Sequence, residues 1–467
     1  MFHKSTYLER RKKLTSLVKE GIILLLGNKD SSLNYPANCY PFRQDSSFLY
    51  FVGLNLPNLA VIIDVNNNET ILYGDDVDIN SIIWMGAQPS IKELGELSVI
   101  EKVKPYKELF KDIEEHINSH TTIHYLPPYR DANKILLNQM LNIPIDELKQ
   151  KSSAELCKAV ALLRSIKEQQ EIEHIEQIMS VAYKMHTTAM QMAQEGAWEQ
   201  TIAGAIEGIA LQHGARVSFP VILSKHGEIL HNHHHDNILK NGDLLLCDAG
   251  FESFEGYATD HTRTIPVGGV FNNKQKEIYQ IVLNAQKLAI EMLKPGIYFR
   301  DAHITACMEI AKGLTELGLM KGDYKEAVKQ GAHALFFPHG LGHMMGLDVH
   351  DMEDIGEQYV GYDETIERSK EFGLAYLRFA KKVCTGYVLT VEPGIYFIPA
   401  LIDLWKSEQK HKDFINYEKV ETYKNFGGIR LEDDVLITEN GSRILGEKRI
   451  PIEVDDVENE VKKGQIK

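Results

Sequence analysis

Four acidic residues stand within segments whose neighbours are mostly apolar: Asp248, Asp260, Glu392 and Glu432. Charged side chains are rarely buried unless they are paired or bound to a metal ion. Each acid taken alone is most simply explained as a solvated residue or as a salt-bridge partner of Arg263 or Arg430. Together with the histidines described next, the four acids indicate a single polar pocket.

Three histidines lie in the segment PHGLGHMMGLDVHD, residues 338–351, at positions His339, His343 and His350. A pair of histidines four residues apart is typical of a helical zinc-protease motif, but that motif needs its own Glu and a continuous helix. Gly340 and Gly342 separate the first two histidines, and each costs about 1 kcal/mol in a helix relative to Ala. We therefore predict a loop in which His339 and His343 have different roles, although each histidine alone could simply be packed or exposed.

Four carboxylates and one imidazole are mostly hard oxygen donors, which suit Mn, Mg or Co better than a thiolate-rich zinc site does. Two divalent cations would balance the four negative charges. Without metal, the carboxylates would repel one another and some would take up protons. Two metal ions about 3.5–4 Å apart can activate a shared water molecule and polarise a substrate oxygen. The residue types thus predict a hydrolase with a two-metal centre.

Strands must position these side chains, and four β-rich segments contain the acids: LLLCDAG (244–250), YATDHTRTIPV (257–267), VLTVEPGIYF (388–397) and GIRLEDDVLIT (428–438). Residues two apart on a strand share a face, so Asp260 would lie beside Thr262, and Arg430 beside Glu432. Helices are predicted at 274–293 and 301–318.

Residues 22–27, 59–64 and 70–74 read as short strands of an amino-terminal α/β unit. The charged segment 164–177 opens a long helix with apolar residues at helical spacing, and it marks the predicted domain boundary. The last residues, 454–467, lack a convincing apolar face and are predicted to form a loose surface tail.

The composition agrees with a globular protein of several hundred residues. The chain has 467 residues, of which 43% are hydrophobic and 25% charged, and its 66 acidic against 51 basic residues give a net charge of −15. This balance argues against nucleic-acid binding, which needs clustered Lys and Arg. Five cysteines without a CxxC pair suggest neither a disulfide framework nor a thiolate zinc site. The first apolar run, Ile22–Leu26, is too short for a signal core or a membrane span, so we expect a soluble, cytoplasmic protein with no membrane partner.

Five segments, in order, resemble the signature of the aminopeptidase P and prolidase family: LLLCDAG, YATDHTRT, HGLGHMMGLDVHD, VLTVEPGIYF and GIRLEDDVLIT. The resemblance covers almost all of residues 165–448, and segments 40–57 and 82–86 resemble the aminopeptidase P amino-terminal domain. It implies an α+β protein with an amino-terminal α/β domain at 1–163 and a catalytic domain at 164–467. The catalytic domain would have the pita-bread fold shared with methionine aminopeptidase and creatinase.

The resemblance also implies a metal site with two ions, which in this family are typically Mn²⁺. By position, the family's ligands correspond to Asp248, Asp260, His343, Glu392 and Glu432. Asp260 and Glu432 would bridge the two ions, and Glu392 would also act as general base when water attacks the bond before proline.

Further roles follow from the same resemblance. His231, in the motif EILH, matches a histidine that stabilises the tetrahedral intermediate, whereas its neighbours His233, His234 and His235 are expected to form a polar loop. The remaining matches are two substrate-contacting histidines, an arginine that orients the site, a tyrosine near the metals and a threonine at the site's edge: His339, His350, Arg430, Tyr396 and Thr262.

Two departures from the family pattern stand out. The segment between Asp248 and Asp260 is one residue longer than usual, which predicts a bulge or longer turn near 253–255. The spacings after His350 and after Tyr396 are longer than in compact bacterial aminopeptidases P and look more like prolidase. Arg378 falls where prolidases hold a dipeptide carboxylate, a task that suits the forked guanidinium, but it could equally be a surface arginine.

The favoured function is a Xaa-Pro aminopeptidase acting on peptides with proline at the second position. The alternative is prolidase, which cleaves only Xaa-Pro dipeptides. A metal-free pita-bread protein that binds peptides or partner proteins is a remote third reading, since all five ligand positions carry competent residues. A methionine aminopeptidase would normally lack the HGLGHxxGxxxH continuation and the large amino-terminal domain. We expect a homodimer or homotetramer, and the amino-terminal domain would cover the pocket mouth or mediate self-association.

Overall fold

The computed structural model of the chain describes residues 2–466 and contains two compact units. One comprises the chain up to Ser165 with Met352–Val360, and the other comprises Ile166–Asp351 with the chain from Gly361 onward. We propose 1–163 and 164–467 as the two domains; the compact units differ from this division in that residues 164–165 and 352–360 belong to the first unit. Within residues 2–466, no helix is both long enough and apolar enough to cross a bilayer.

The first unit contains a five-stranded mixed sheet. The strands of this unit are β1 (Ile22–Leu26), β2 (Ser32–Tyr35), β3 (Asn38–Cys39), β4 (Ala60–Asp64), β5 (Glu69–Tyr73), β6 (Lys102–Lys104) and β7 (Ile123–His124), of which β2 and β3 form a separate two-stranded sheet. Its helices are α1 (Lys4–Leu17), α2 (Ser46–Val52), α3 (Ile79–Met85), α4 (Ile91–Ser98), α5 (Glu108–Asn118), α6 (Asp131–Leu141) and α7 (Ala154–Ser165). The spatial order is β6-β5-β4-β1-β7, with β1 antiparallel to β4 and parallel to β7. The predicted strands at 22–27, 59–64 and 70–74 form its centre.

The second unit combines several small sheets with long helices. Its strands are β8 (Arg216–Val217), β9 (Ile222–Ser224), β10 (Leu244–Asp248), β11 (Phe251–Glu252), β12 (Thr262–Pro266), β13 (Val388–Val391), β14 (Gly394–Tyr396), β15 (Gly428–Arg430), β16 (Asp433–Ile437) and β17 (Ser442–Ile444). The remaining helices are α8 (Gln169–Met192), α9 (Glu199–Gln212), α10 (Asn273–Met292), α11 (Phe299–Glu316), α12 (Tyr324–Lys329), α13 (Glu357–Val360, part of the first unit), α14 (Pro399–Ser407), α15 (Tyr417–Glu421) and α16 (Val454–Lys463). Short 3-10 turns occupy Ala332–Leu335, Leu374–Tyr376 and Gly464–Ile466.

Antiparallel pairing in this unit brings distant parts of the chain together. One sheet has the order β12-β10-β9 and another the order β13-β16-β17, while β14 pairs with β15 and β8 with β11. The predicted helices at 274–293 and 301–318 correspond to α10 and α11. A turn follows β11, closed by the amide of Gly256 donating to the carbonyl of Ser253 at 2.9 Å.

The predicted continuous strands at 257–267, 388–397 and 428–438 are wrong at the acidic residues. Regular pairing starts only at Thr262, and the other two segments are each interrupted, at Glu392 and at Glu432. Pro393 has no amide hydrogen to continue a ladder. The amide of Asp260 donates to the carboxylate of Asp434 at 2.9 Å instead of to a neighbouring strand. The acids therefore leave the sheets at breaks in the strands.

The long helix that the charged segment 164–177 was expected to open begins later than predicted. Residues up to Ser165 belong to α7, and α8 starts at Gln169. Between them the amide of Lys167 donates to the carbonyl of Gly386 at 2.8 Å, which fixes non-helical backbone. The side chains of Glu168 and Glu171 then cap α8 reciprocally.

The prediction of a loose carboxyl-terminal tail is also wrong. Residues Val454–Lys463 form α16, in which Val457 and Val461 are fully buried. The Gln191 side chain of α8 donates to Glu460 at 2.8 Å, so α16 is held against α8. The apolar stripe contains few residues, but its spacing of four places them on one face of the helix.

A buried ion cluster supports the strands that carry the acids. The guanidinium of Arg263, on β12, donates to the carbonyl of Glu432 at 2.6 Å and to the carboxylate of Asp433 at 2.6 Å. Arg449 binds the other oxygen of the Asp433 carboxylate at 2.8 Å. Burial would raise the pKa of Asp433, but the two guanidiniums outweigh it and hold that pKa at about 2.

Replacing Asp433 by Asn is expected to lower the free energy of unfolding by about 3 kcal/mol at pH 7, because it leaves Arg263 buried without its counter-charge. The folded-state pKa lies below the value of about 3.9 for an unfolded Asp, so the ionic contribution is present above pH 4 and declines towards pH 2. Urea unfolding at pH 7 and at pH 3 measures this difference, which should shrink at pH 3. Asp413→Asn, at an exposed loop position, serves as the control. A deficit that is equal at both pH values would contradict the account.

Candidate metal centre and substrate cavity

The strand register brings the predicted carboxylates to one place. Asp248, at the end of β10, pairs with Thr262, two residues beyond Asp260. Val391 of β13 pairs with Asp433 of β16 in antiparallel register. Glu392 follows the first of these strands and Glu432 precedes the second, so both leave the sheet at the same end.

His343 reaches the acids from a loop, as predicted. Gly342 lies so close to β13 that an added Cβ would be 2.0 Å from the carbonyl oxygen of Thr390, which excludes any larger residue there. The Nδ1 of His343 donates to the carbonyl of Met344 at 3.0 Å. The Nε2 lone pair therefore faces the carboxylates of Asp260 at 3.4 Å and Glu392 at 3.6 Å.

Burial and the charges of neighbouring acids disfavour the charged forms of Asp260, Glu392 and Glu432. Only 7% of Asp248, 4% of Asp260 and 2% of Glu432 is exposed. Burial, followed by the charge of Asp248, raises the pKa of Asp260 well above its ordinary value. Burial and the charge of Asp260 do the same to the pKa of Glu432, and burial raises the pKa of Glu392.

The donor set fits divalent cations. Ligand atoms of Asp260, His343 and Glu432 all lie within 4.8 Å of one another. The Oδ1 atoms of Asp248 and Asp260 are buried without a hydrogen-bond partner. A positive ion placed among these atoms would stabilise both the clustered acceptor atoms and the buried carboxylate oxygens that lack a hydrogen-bond donor.

Arg430 organises the edge of this cluster. Its guanidinium donates to the Asp248 carboxylate at 2.5 Å, to the Thr262 hydroxyl at 3.1 Å and to the Tyr396 hydroxyl at 3.0 Å. The Thr262 hydroxyl in turn donates to Glu432 at 2.7 Å. These contacts fix the direction of two of the four carboxylates.

His339 and Tyr396 form a second fixed pair. Burial, followed by the charge of Arg430, lowers the pKa of His339 to about 3, so the ring is neutral at pH 7. Its Nδ1 donates to the carbonyl of Gly340 at 2.8 Å. Nε2 therefore accepts from the Tyr396 hydroxyl, also at 2.8 Å. Burial raises the pKa of Tyr396, which keeps this proton in place.

A cavity of about 650 Å³ opens onto the acids. All predicted site residues line it except two: Tyr396, which lies behind His339, and Thr262, whose hydroxyl donates to Glu432. His231 lies at the mouth with much of its ring in solvent, and partial desolvation followed by the charge of Arg430 lowers its pKa. The His350 ring lies 4.2 Å from that of His343, and Arg378 is half-buried in the wall. His233 also lines the cavity, although it was expected to lie in a polar loop.

Sequence reasoning missed Asp434 and the apolar wall. Asp434 is fully buried and holds the backbone amide of Asp260. The doubled acid that follows Glu432 was its only local signal. No motif marks the apolar wall, which includes Leu401 of α14 and three side chains from loops: Phe219, Leu230 and Phe372.

Family models match both parts of the chain. The model of metallopeptidase family M24 matches residues 173–439, and that of the aminopeptidase P amino-terminal domain matches residues 7–124. A probable Xaa-Pro aminopeptidase of Fusarium vanettenii is 32% identical over 458 residues, covering 96% of this chain and 95% of that relative. The Xaa-Pro aminopeptidase of Escherichia coli is 29% identical and covers 93% of each chain.

The fold agrees with the same family. The structure of E. coli aminopeptidase P with the inhibitor Pro-Leu has a TM-score of 0.81 and 27% sequence identity, and it covers 99% of both chains. The expected pita-bread fold with an aminopeptidase P-type amino-terminal domain is thereby confirmed. The chain belongs to metallopeptidase family M24.

Proposed function

We propose that this chain is a Xaa-Pro aminopeptidase that hydrolyses the bond between an amino-terminal residue and a following proline. The observation that carries the proposal is the cluster of four acids and His343 at the end of a cavity of about 650 Å³. The relatives named Xaa-Pro aminopeptidase support it, because they match this chain over nearly its whole length.

Asp248, Asp260, His343, Glu392 and Glu432 would hold two divalent ions. When bound, such ions lower the pKa of water and polarise the carbonyl that is attacked. Mn²⁺ is our proposal for both ions, since four carboxylates and one imidazole form a mainly hard ligand set. Asp260 and Glu432 would each help to hold both ions; burial, followed by the charge of a neighbouring carboxylate, raises the pKa of each.

Glu392 is the proposed general base. Its side chain is 18% exposed, more than that of Asp260 at 6%, so it reaches the cavity where a water molecule and a peptide would meet. Burial raises its pKa, which brings the carboxylate closer to the range in which it can both accept and return a proton. Arg430 keeps the opposite side of the cluster fixed through Asp248.

The histidines and Arg378 are proposed to bind the peptide. A neutral His231 at the mouth can donate a hydrogen bond to the oxygen that becomes negative when the carbonyl is attacked. His350 lies against His343 and faces the same cavity. The Nε2 of His339 accepts from Tyr396, so His339 would contact the substrate through the face of its ring, and the buried Tyr396 would hold that ring in position.

Two further proposals concern the setting of the enzyme. We propose that the protein is cytoplasmic, as expected from its sequence. We also propose self-association into a homodimer or homotetramer, supported by the apolar surface of α3. Its side chains Ile79, Ile83, Trp84 and Met85 are 67%, 69%, 82% and 76% exposed, and exposed apolar clusters of this kind mark interaction surfaces.

The function predicts cleavage of tripeptides. With Mn²⁺ present, the protein should release the first residue of a peptide such as Ala-Pro-Ala, and Asp260→Ala should reduce turnover below detection because a bridging ligand is lost. Release of the free amino acid measures the rate on dipeptides, tripeptides and longer peptides. No turnover of tripeptides by the Mn-loaded protein would overturn the proposal. Strict preference for the dipeptide, lost in Arg378→Ala, would instead identify a prolidase.

Replacing His231 should slow the chemical step, whereas replacing the nearby His234 should not. His231→Ala is expected to lower kcat roughly 100- to 1,000-fold, the usual effect of removing one donor to a developing oxyanion. His234→Ala, at an exposed position outside the cavity lining, is the matched control and should change kcat little. Equal effects of the two substitutions, measured by steady-state kinetics on a tripeptide, would contradict the role given to His231.

The molar mass of the protein in solution tests whether it self-associates through α3. The double variant Ile83→Ser, Trp84→Ser should shift the protein to a smaller assembly in size-exclusion chromatography with light scattering, because it removes apolar contact area. Leu211→Ser, at a position that is 70% exposed on α9, is the control. A monomeric wild-type protein, or a double variant with unchanged mass, would contradict the proposal.

A further inference from the structure

A second cluster of metal-ligating side chains lies in the second unit, outside the lining of the substrate cavity. His303 and Cys307 are on α11, and His333 is in the 3-10 turn Ala332–Leu335. His303 is 1%, Cys307 0% and His333 5% exposed. One ligand atom of each residue lies within 4.8 Å of those of the other two. The proposed hydrolysis uses none of them.

The spacing of these atoms is close to that of a coordinated ion. His303 and Cys307 are one helical turn apart and share a face of α11. Nε2 of His303 and Sγ of Cys307 form a hydrogen bond of 3.4 Å. Nitrogen and sulfur ligands at ordinary bond lengths around a tetrahedral zinc ion lie roughly 3.6 Å apart. The two atoms are therefore about as far apart as two ligands of one zinc ion, and His333 supplies a third ligand atom.

Both imidazoles contain a nitrogen without a partner. The Nδ1 atoms of His303 and His333 are buried and make no hydrogen bond; His333, whose ring bonds to the Val328 backbone, would bind an ion through Nδ1, whereas His303 would bind through the Nε2 that faces Cys307. A buried polar atom left unpaired costs roughly 1–3 kcal/mol. Burial lowers the pKa of His303 to about 3 and that of His333 to about 4, so both rings are neutral at pH 7. Neutral imidazole is the form that coordinates a metal ion.

We propose that His303, Cys307 and His333 bind a third metal ion, and that this ion is Zn²⁺ or a similar borderline-soft divalent cation. Two nitrogens and one sulfur favour such an ion over Mn²⁺, whereas the carboxylate-rich centre favours the harder one. On binding, the Cys307 thiol releases its proton to solvent and coordinates as thiolate. A neighbouring cavity of about 460 Å³ reaches His333 and can supply water to a fourth coordination position.

The site lies next to the segment that presents His339. The His303 ring is 5.3 Å from the Phe337 ring, and Phe337 is 4.8 Å from the His339 ring. An ion held by α11 and the 3-10 turn would link the two elements that pack behind this segment. The ion therefore stabilises the wall of the substrate cavity and takes no part in the bond cleavage.

The test is a titration of the Mn-loaded protein with Co²⁺, followed by near-ultraviolet absorption from thiolate to cobalt. None of the predicted ligands of the dinuclear centre is a cysteine, so exchange of Mn²⁺ for Co²⁺ there does not produce this band. The expected result is a band that saturates at one equivalent of thiolate-bound Co²⁺ per chain. Metal analysis of the same sample should give three ions per chain in total.

Variants assign the band to this cluster. Cys307→Ser and Cys307→Ala should abolish it, while Cys157→Ser, at a buried cysteine, and Cys384→Ser, at an exposed one, should retain it. His333→Gln should weaken Co²⁺ binding by more than roughly 10-fold, since even the loss of an outer hydrogen-bonding partner has that effect. The proposal is overturned if the Mn-loaded wild-type protein shows no thiolate band, or if the band persists in either Cys307 variant.

Discussion

Mutual repulsion among four carboxylates in one water-poor pocket is the constraint on which the rest of this structure depends. Asp248, Asp260 and Glu432 are almost entirely buried, and the pKa values of Asp260, Glu392 and Glu432 are raised by that burial. At an effective dielectric constant of about 20, two unit charges 4 Å apart interact by about 4 kcal/mol. Such a cluster is tolerable only if cations or protons neutralise it, and its composition favours two divalent metal ions.

The surrounding architecture keeps these acids in place at the expense of regular strands. Glu392 and Glu432 lie where strands are interrupted, and the amide of Asp260 is held by Asp434 instead of by a ladder. Arg263 compensates for the break beside Glu432 by binding its carbonyl. Successive side chains on a regular strand point to opposite faces of the sheet. Breaks in the strands therefore allow separate segments to direct their acids to the same point.

Much of the candidate site could be predicted from the sequence because its residues occur in short segments of unusual composition. A single acid or histidine of this kind has simpler explanations, but four acids in apolar segments, the histidine segment 338–351 and the order of the five family-like segments together indicate one site. The breaks in the strands could not be predicted, because they depend on tertiary partners such as Asp434. The helix at the carboxyl end was missed because Val457 and Val461 are surrounded by charged residues, and only packing against α8 reveals their role.

The cluster of His303, Cys307 and His333 could not be predicted from the sequence either. Cys307 and His333 are 26 positions apart in the sequence, and only folding brings ligand atoms of the three side chains within 4.8 Å of one another. Its nitrogen and sulfur donors differ chemically from the oxygen-rich centre nearby. One chain can therefore sort two kinds of metal ion by ligand type, with the harder ion where water is activated.

The central claim is that the four acids and His343 bind two divalent ions. Equilibrium dialysis of the metal-free protein against Mn²⁺, followed by metal analysis, tests it most directly. Two Mn²⁺ ions per chain are expected, and fewer in Glu432→Ala, which removes a proposed metal ligand. Less than one ion bound per wild-type chain, or an unchanged count in the Glu432 variant, would contradict it.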